Sequence, residues 1–430
     1  MKSRLLQISL APAALLALMV LPAGTQTDAQ GPTPARYLVT DLGTLGGANS
    51  FAYAINSAGI VAGGANTSGQ NDPVAQTAFV WAGDSLISLG TLAGSVCPDC
   101  SSEGSAVSAD GTAAAISETA ALDPNGEDFC EFGTHRQCLA AVWRGGVLTA
   151  LEPLPGGNNA EAFFTNNRGQ VVGVSETGTP DGTCLTPFQV RRFEAVKWSP
   201  DGVPAHLPPL AGDTVSFAFT ANDAGQVVGF SGLCSNVTLP PFIPPNAPHA
   251  VMWDQRGLPH DLGNPDGGAG DNVAVGINNQ GQITVNSVMT DGTIHTFLWS
   301  AGALQDLGTY PSDSFVTVAP CCNNVNDRGQ IVGFSVDSQF NQRALLWEDK
   351  DAAPLDLNQL LPVDSTWYLL SPAGINNAGE IAATALNLNT FEIHAVVASP
   401  VRGSAPAARG AMKPPALPQR VRALLRSYLH

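Results

Sequence analysis

The 430-residue chain is poor in charged residues, which make up only 13% of it. Soluble domains carry about 25% Asp, Glu, Lys and Arg, so neither a charge-rich disordered chain nor a coiled coil fits this composition. Basic residues are the scarcest, with 19 Lys and Arg against 36 Asp and Glu and a formal net charge of −17. A phosphate backbone is held by clustered basic residues. We therefore expect no nucleic-acid partner.

Long apolar runs are also scarce, and the one that stands out lies at the N-terminus. Lys2 and Arg4 precede an apolar stretch that Pro12 and Pro22 interrupt. A membrane-spanning helix needs about 20 apolar residues, whereas a basic start and a shorter apolar run are typical of a secretory signal peptide. We predict that residues 1–29 are such a peptide and that no transmembrane anchor remains after cleavage. The protein would then be secreted, periplasmic or held at the cell surface; an uncleaved anchor is the alternative.

Helical periodicity is missing as well, because short apolar runs alternate with segments rich in the chain's 45 Gly and 32 Pro. Seven copies of an Asn-x-x-Gly turn flanked by apolar runs recur along the chain. The turns begin at Asn56, Ser108, Asn166, Asn222, Asn278, Asn326 and Asn376, with Ser in the second copy. A second apolar run in each copy ends at a Trp, or at Val397 in the last. The period, roughly 46 to 62 residues, matches one propeller blade.

The residues of each copy favour β-strands. Asn closes a tight turn with its side chain, and Gly accepts a positive φ there. Runs such as 78–81 and 344–347 are apolar without alternation, which is typical of strands buried on both faces. We predict an all-β fold, a seven-bladed β-propeller with four-stranded antiparallel blades, over residues 30–398.

The two ends of the repeat array predict how it closes. Residues 37–47 resemble the strand that closes a repeat, as in 304–309, although no repeat precedes them. The seventh copy lacks this strand after Val397. An N-terminal strand pairing in the last blade would close the ring and remove both sheet edges. An open β-solenoid with terminal caps is the alternative.

The C-terminal segment, residues 399–430, differs in character from the repeats. It contains six basic residues and no acidic one, and it is rich in Pro and Ala. We expect a flexible basic tail. A short amphipathic helix over residues 421–429, lying on an anionic surface, is the alternative.

The repeats resemble the HAF repeat family, bacterial proteins described as probable extracellular repeats and named for a His-Ala-Phe motif. The motif is degenerate here, at His249-Ala250-Val251, His295-Thr296-Phe297 and His394-Ala395-Val396. The resemblance covers about residues 37–398 and implies an exported repeat protein with no assigned activity. A looser similarity links the chain to kelch-type propellers. Because Thr77, Glu194 and Arg343 occupy the His position in other copies, we expect these His to act as strand-end hydrogen bonders.

An exported chain with eight Cys predicts a disulfide framework. Cys184 and Cys234 occupy equivalent loops of adjacent copies, so we predict a bond between them. Cys97, Cys100, Cys130 and Cys138 belong to one copy and are expected to pair among themselves, with zinc binding as the competing use. Cys321 and Cys322 form either a vicinal disulfide or bonds to partners that the sequence does not identify.

Acidic residues precede the first strand of most copies, in a segment called here the leading loop. They are Glu103, Glu161, Asp213, Asp271, Asp313 and Asp364. Ring symmetry would bring several of them towards one axial opening, where carboxylates favour a hard cation such as calcium or a cationic ligand. Residues 123–128 form a second, weaker calcium candidate. Solvated acidic loops are the alternative to both.

The sequence contains no recognisable motif of a catalytic nucleophile, a zinc protease or a nucleotide-binding loop. We therefore expect an exported binding or scaffold module whose ligand is a glycan, a protein or a cation. The alternative is an extracellular hydrolase or lyase that acts on a glycan or another polymer through the leading-loop carboxylates. Fold alone does not separate the two, because propellers host both classes.

Overall fold

The computed structural model describes residues 36–68, 75–184, 189–237, 247–267, 270–311, 313–319, 323–401 and Gln419. The predicted signal peptide, nearly all of the basic tail, and Cys321 and Cys322 lie outside the described residues. Within those described there are 28 β-strands and two short 3₁₀ helices, Gly94–Val96 and Leu357–Leu360. No helix among them is long and apolar enough to cross a membrane.

The strands follow the sequence repeats. In chain order they are β1 Tyr37–Asp41, β2 Gly46–Ile55, β3 Val61–Thr67, β4 Thr77–Ala82, β5 Ser85–Gly90, β6 Ser102–Val107, β7 Ala113–Leu122, β8 Arg136–Arg144, β9 Val147–Ala150, β10 Ala160–Thr165, β11 Val171–Pro180, β12 Arg191–Trp198, β13 Pro204–Leu207, β14 Val215–Ala221, β15 Val227–Gly232, β16 His249–Trp253, β17 Pro259–Asp261, β18 Asn272–Ile277, β19 Ile283–Val288, β20 Ile294–Ser300, β21 Ala303–Asp306, β22 Asp313–Thr317, β23 Ile331–Asp337, β24 Gln342–Trp347, β25 Leu355–Asp356, β26 Trp367–Ile375, β27 Ile381–Asn387 and β28 Ile393–Pro400. The last strand therefore runs two residues past the predicted boundary at 398.

Consecutive strands pair antiparallel into four-stranded sheets. Strands β2–β5, β6–β9, β10–β13 and β14–β17 form one sheet each. Strands β18–β21 and β22–β25 are two further antiparallel runs, joined by a single parallel pairing of Ile294 with Phe315. The remaining sheet has the order β1-β28-β27-β26, in which Tyr37 pairs with Pro400 and Asp41 with Val396. The N-terminal strand thus lies beside the last strand of the seventh repeat, and β2 packs against β26, β27 and β28.

A Gly in the second strand of the repeats has a packing role. A Cβ on Gly173 would lie 1.9 Å from the Glu161 main-chain oxygen, and one on Gly229 would lie 1.8 Å from that of Phe217. At both places the first strand carries an irregularity in register, between Ala162 and Phe164 and between Ala218 and Thr220. The Val-Val-Gly sequence therefore lets a β-bulge of one strand approach the next strand closely.

The continuous apolar runs are buried on both faces, as predicted. Every side chain of β15 and β24 is buried. In six repeats the last or last but one residue of the third strand is a Trp, and Trp198, Trp253 and Trp347 are completely buried. The Trp198 indole donates a hydrogen bond to the Glu152 main-chain oxygen of the preceding repeat at 2.8 Å. These Trp residues both fill the space between neighbouring sheets and link them by a hydrogen bond.

Candidate functional site

The Asn-x-x-Gly turns and the turns after Trp lie at the same ends of the sheets. Val61, just after the first turn, pairs with Trp81, and Val227 pairs with Trp253. This side of the protein is called the turn face below. The leading loops and the long loops before Trp are at the opposite ends of the strands, as the sequence predicted.

The buried Asn that begins each turn links one repeat to the next. Its Nδ2 donates to the main-chain oxygen of the equivalent residue in the following copy. The donors and acceptors are Asn56 to Ser108 at 2.9 Å, Asn166 to Asn222 at 3.1 Å, Asn222 to Asn278 at 3.3 Å, Asn278 to Asn326 at 2.9 Å, Asn326 to Asn376 at 2.9 Å, and Asn376 to Asn56 at 3.0 Å. The Asn Oδ1 meanwhile accepts main-chain N–H groups of its own turn, as Asn278 does from Gln280 and Gln282. One side chain therefore closes a turn and joins two sheets.

The next position along the chain forms a second hydrogen-bonded series, the rim series, of Asn167, Asp223, Asn279, Asp327 and Asn377. Each of these side chains accepts a hydrogen bond from the main-chain N–H of the same position in the preceding repeat. These bonds run from Ala109 to Asn167, Asn167 to Asp223, Asp223 to Asn279, Asn279 to Asp327, and Asp327 to Asn377, all at 2.8–2.9 Å. The first two repeats carry Ser57 and Ala109 here instead, so this series of amides and carboxylates is incomplete.

The two series surround a depression on the turn face, with a cavity volume of about 110 Å³. Residues of all seven sequence copies line it, from Asn56 and Val107 to Asn376 and Asn377. Among its described lining residues there is no His, Cys, Lys, Arg or Glu, and the ionisable ones are Asp223 and Asp327. Such walls can hydrogen-bond a ligand, but they offer no nucleophile of the Cys or Lys type and no imidazole base.

Of the six predicted acids, Glu103 and Glu161 come together. Both lie inside strands, β6 and β10, and not in the leading loops where the sequence placed them. Each stands five residues before the start of its turn, a position that Phe51 and Phe217 hold in other copies. Glu161 is 8% exposed, and no hydrogen bond to its carboxyl is found in the described part of the chain.

A third carboxyl, Glu131 from the long loop before Trp143, joins this pair; the three are called the inner acid cluster. Burial raises the pKa of Glu103 to about 7, although a hydrogen bond from Tyr53 opposes the shift. Burial, with a contribution from Asp128, raises the pKa of Glu131 to about 8. Burial and the charges of Glu131 and Glu103 raise the pKa of Glu161 well above its usual range. At neutral pH the cluster therefore holds protons, which is how general acids are arranged.

The other four acids have separate environments. Asp213 Oδ2 accepts a hydrogen bond from Ser231 Oγ at 2.6 Å and lies 2.9 Å from His249 Nδ1. Asp313 is buried and forms an ion pair with Arg343. Asp271 is partly buried, which raises its pKa, and Asp364 is exposed. The expected convergence of all six at one axial opening is not what the structure shows.

The calcium expectation finds no ligand set in the described residues. No group of three or more His, Cys, Asp or Glu there is placed to hold a metal ion. In the second candidate, residues 123–128, Asp123 Oδ1 accepts the main-chain N–H groups of Asn125 and Glu127, so the carboxylate closes a turn.

The described residues contain three disulfides, on the side opposite the turn face: Cys97–Cys100, Cys130–Cys138 and the predicted Cys184–Cys234. The four Cys of the second copy thus pair among themselves and are not free to bind zinc. The His residues of the repeat motif lie beside carboxylates: His295 Nδ1 is 2.8 Å from Asp306, and His394 Nδ1 is 2.9 Å from Asp41.

The depression lies on the face opposite to the leading loops and the loops before Trp, where ligand contacts were predicted from the sequence. A usable signal was present, because the residue after the turn Asn is Asn or Asp in copies three to seven.

Comparison with known proteins gives no family for this chain. No family model matches it, and no curated protein matches it. Among solved structures it is similar to a puromycin hydrolase, with 12% identity, a TM-score of 0.49, and coverage of 84% of this chain and 56% of the other. It is also similar to a gluconolactonase from Xanthomonas campestris (12% identity, TM-score 0.33, 71% and 91%) and to prolyl oligopeptidase B from Galerina marginata (10% identity, TM-score 0.45, 85% and 51%). The chain spans about half the length of the hydrolase and the oligopeptidase. Similarities this distant carry no argument about activity.

Proposed function

We propose that the sheets are the blades of a closed seven-bladed β-propeller that serves as an exported binding module. Closure is supported by the pairing of β1 with β28, by the packing of β2 on the last sheet, and by the hydrogen bond from Asn376 to Asn56. It is also supported by His394, which bonds Asp41 of β1 just as His295 bonds Asp306 of its own closing strand. Strand β1 then occupies, in the sheet of the seventh repeat, the position that the fourth strand of the repeat itself occupies in the other sheets.

Export and family membership belong to the same proposal. Three disulfides within the described residues suit an oxidising compartment. The basic start and apolar run of residues 1–29 suit a signal peptide. The repeats, with His at the motif position in three copies, favour membership of the HAF repeat family.

The observation that carries the binding function is the depression on the turn face. Every repeat contributes to its wall, and the turn hydrogen bonds hold that wall rigid before any ligand arrives. Preorganised polar groups reduce the ordering cost of binding. The lining residues offer hydrogen bonds without the groups that most catalysis requires.

A matched pair of rim variants tests this function. Ser57 is exposed at the rim, so Ser57→Trp places an indole across the depression; Ser85→Trp makes the same change on the turn face outside it. Panels of glycans, peptides and small polar molecules are screened by thermal shift against the full chain. Ligands that lose binding with S57W and keep it with S85W support the depression as the site. Ligands that bind both variants equally place the site elsewhere.

The second candidate function is cleavage of a polymer by a hydrolase or a lyase, and the inner acid cluster favours it. Glu103, with a pKa near 7, could donate a proton to a leaving group, as paired carboxyls do in glycoside cleavage. Turnover of a glycan panel by the full chain would decide between the functions. Turnover that is lost in Glu103→Gln and kept in Asp364→Asn, an exposed control, would favour the enzyme. Binding without turnover by either protein would favour the module.

A further inference from the structure

The depression carries negative charge that no described cation neutralises. Asp223 and Asp327 are half-buried in its wall, and neither takes part in an ion pair within the described residues. Arg168 and Arg328, in the same kind of turn, are exposed and do not line the depression. A partly buried carboxylate without a counter-charge attracts a cation more strongly than a fully solvated one.

Amide groups on both sides fix the direction of each carboxylate. Asp223 Oδ2 accepts from Asn167 Nδ2 at 3.0 Å and from Asn279 Nδ2 at 3.3 Å. Asp327 Oδ2 accepts from Asn279 Nδ2 at 3.3 Å and from Asn377 Nδ2 at 2.9 Å. Asn279 thus bridges the two acids, and all three side chains are held in place without a ligand.

Apolar side chains line the depression beneath this polar rim. They are Val107, Ala221, Ile277, Val325 and Ile375, each the residue just before the turn Asn or Ser. A cavity of about 150 Å³ lined by apolar groups holds a benzene molecule, so about 110 Å³ suits the end of a ligand of a few heavy atoms. Two carboxylates at the rim and apolar groups below suit a cation on a short apolar body.

We propose that the turn-face depression binds a guanidinium or primary ammonium group, with Asp223 and Asp327 as its anionic contacts. This inference rests on the proposed binding function and names the chemical class of its ligand. A guanidinium can donate to both carboxylates through its planar fork, and an ammonium can do so as a point charge.

Two sources could supply such a group: a free ligand or the chain's own basic C-terminal segment. Strand β28 ends at Pro400 on the turn face, where Pro400 lies against Gly379 of the seventh turn. Asn376 and Asn377 of that turn line the depression. The segment from residue 402 onward lies outside the described residues; it follows Val401 in the chain and contains five Arg and one Lys. A tethered group meets its site at an effective concentration of about 1 mM, which is enough to compete with a weak free ligand.

The test measures binding of methylguanidinium by the full chain at low salt, using calorimetry or NMR titration. N-methylurea is the neutral comparison of the same shape. The double variant D223N/D327N removes the charge and keeps the size of both side chains, and D84N makes the same change at an exposed site on the turn face outside the depression. We expect methylguanidinium to bind more tightly than methylurea, about tenfold weaker binding in D223N/D327N, and no change in D84N. Urea unfolding of each variant checks that it folds.

A chain ending at Val401 distinguishes the sources. If the tail occupies the site, this chain binds methylguanidinium several-fold more tightly than the full chain does; if the ligand is a free molecule, the two bind alike. Equal affinity for methylguanidinium and methylurea, or an equal loss in D84N and D223N/D327N, overturns the inference. A neutral ligand that S57W displaces, combined with no binding of methylguanidinium, would overturn it while leaving the proposed binding function intact.

Discussion

Stability should fall as pH rises through neutrality, and a pair of buried glutamates should account for a measurable part of the fall. Glu127, from the loop before Trp143, and Glu176, on β11 of the next repeat, are both completely buried. Glu176 Oε2 accepts main-chain N–H groups of Asn158 and Asn159, each at 3.0 Å. Burial, together with the hydrogen bond and charge of Glu127, raises the pKa of Glu176 to about 8. At pH 7 Glu176 therefore keeps its proton in the folded protein and donates it towards Glu127.

The sign follows from linkage between protonation and folding. A carboxyl with a raised folded-state pKa contributes its full stability below its unfolded value, near 4.5, and loses it as pH rises to about 8. Each pH unit inside this window is worth about 1.4 kcal/mol. Raising pH from 5 to 7.5 should cost about 3 kcal/mol through Glu176. For a unit of this size that is a fall of about 4 °C in melting temperature.

Glu176→Gln isolates this contribution. Gln keeps an oxygen to accept the two main-chain N–H groups, and its amide can donate to Glu127 as the protonated acid does. Urea unfolding with the disulfides intact, at pH 5 and pH 7.5, gives the free energy of unfolding of E176Q relative to the wild type. That difference should shift in favour of E176Q by about 3 kcal/mol between the two pH values, while the exposed control Asp364→Asn shows no such shift. A difference for E176Q that stays constant to within about 0.5 kcal/mol would refute the buried proton.

Three further predictions concern side chains that link strands or repeats. Asn278→Ala removes the turn acceptor and one of the two donors to the buried Asn326 main-chain oxygen, which keeps the hydrogen bond from the Gly329 N–H. It should therefore destabilise the protein by about 2 kcal/mol; urea unfolding beside the exposed Asn279→Ala measures this, and equal losses would contradict it. The Cys184–Cys234 bond spans 50 residues and the Cys97–Cys100 bond spans 3. The free energy of unfolding should therefore fall by about 4 kcal/mol in C184S/C234S and by less than half of that in C97S/C100S. A larger fall in C97S/C100S would show that chain entropy is not the cause. Arg343→Met leaves the buried carboxylate of Asp313 without its ion-pair partner and should lower the free energy of unfolding by about 3–5 kcal/mol. The double variant Arg343→Met with Asp313→Leu should recover most of this loss. Urea unfolding of the two variants tests this, and a double variant as unstable as the single one would contradict it.

Local turn and strand chemistry explains why so much of the fold was predictable. An Asn at the start of the turn and a Trp near the end of the third strand mark the same structural positions in six copies each, with Ser108 and Val397 as the exceptions. The strand order of a repeat follows from those marks alone. The partner of the N-terminal strand was predictable by elimination, because residues 41–43 carry the Asp-Leu-Gly pattern of a closing strand and the last repeat lacks one.

The candidate sites were harder to predict, because they depend on register and on loop shape. Counting back from the turn would have shown that Glu103 and Glu161 share a position, whereas Asp313 and Asp364 lie much farther from their turns. No count would have found Glu131. It reaches the cluster from a long loop, in a backbone conformation with φ of 55°, and such a loop's path is set by its disulfide and packing rather than by local sequence.

The depression illustrates how a repeat protein gains a specific site from near-identical parts. Seven identical turns would make a symmetric opening, in which a ligand has seven equivalent orientations. The rim here is not symmetric: copies three to seven supply amides and carboxylates, and copies one and two supply Ser57 and Ala109. Hydrogen-bonding groups therefore lie on one side of the proposed cation site, and Ser57 and Ala109 place no amide or carboxylate on the other side, where the remainder of a ligand would lie. A variant that extends the rim series, such as Ala109→Asn, should leave the hydrogen bonds of the buried turn Asn residues unchanged and yet weaken binding of any ligand larger than the cation itself. The absence of these side chains would then be as much a part of the site as the side chains present.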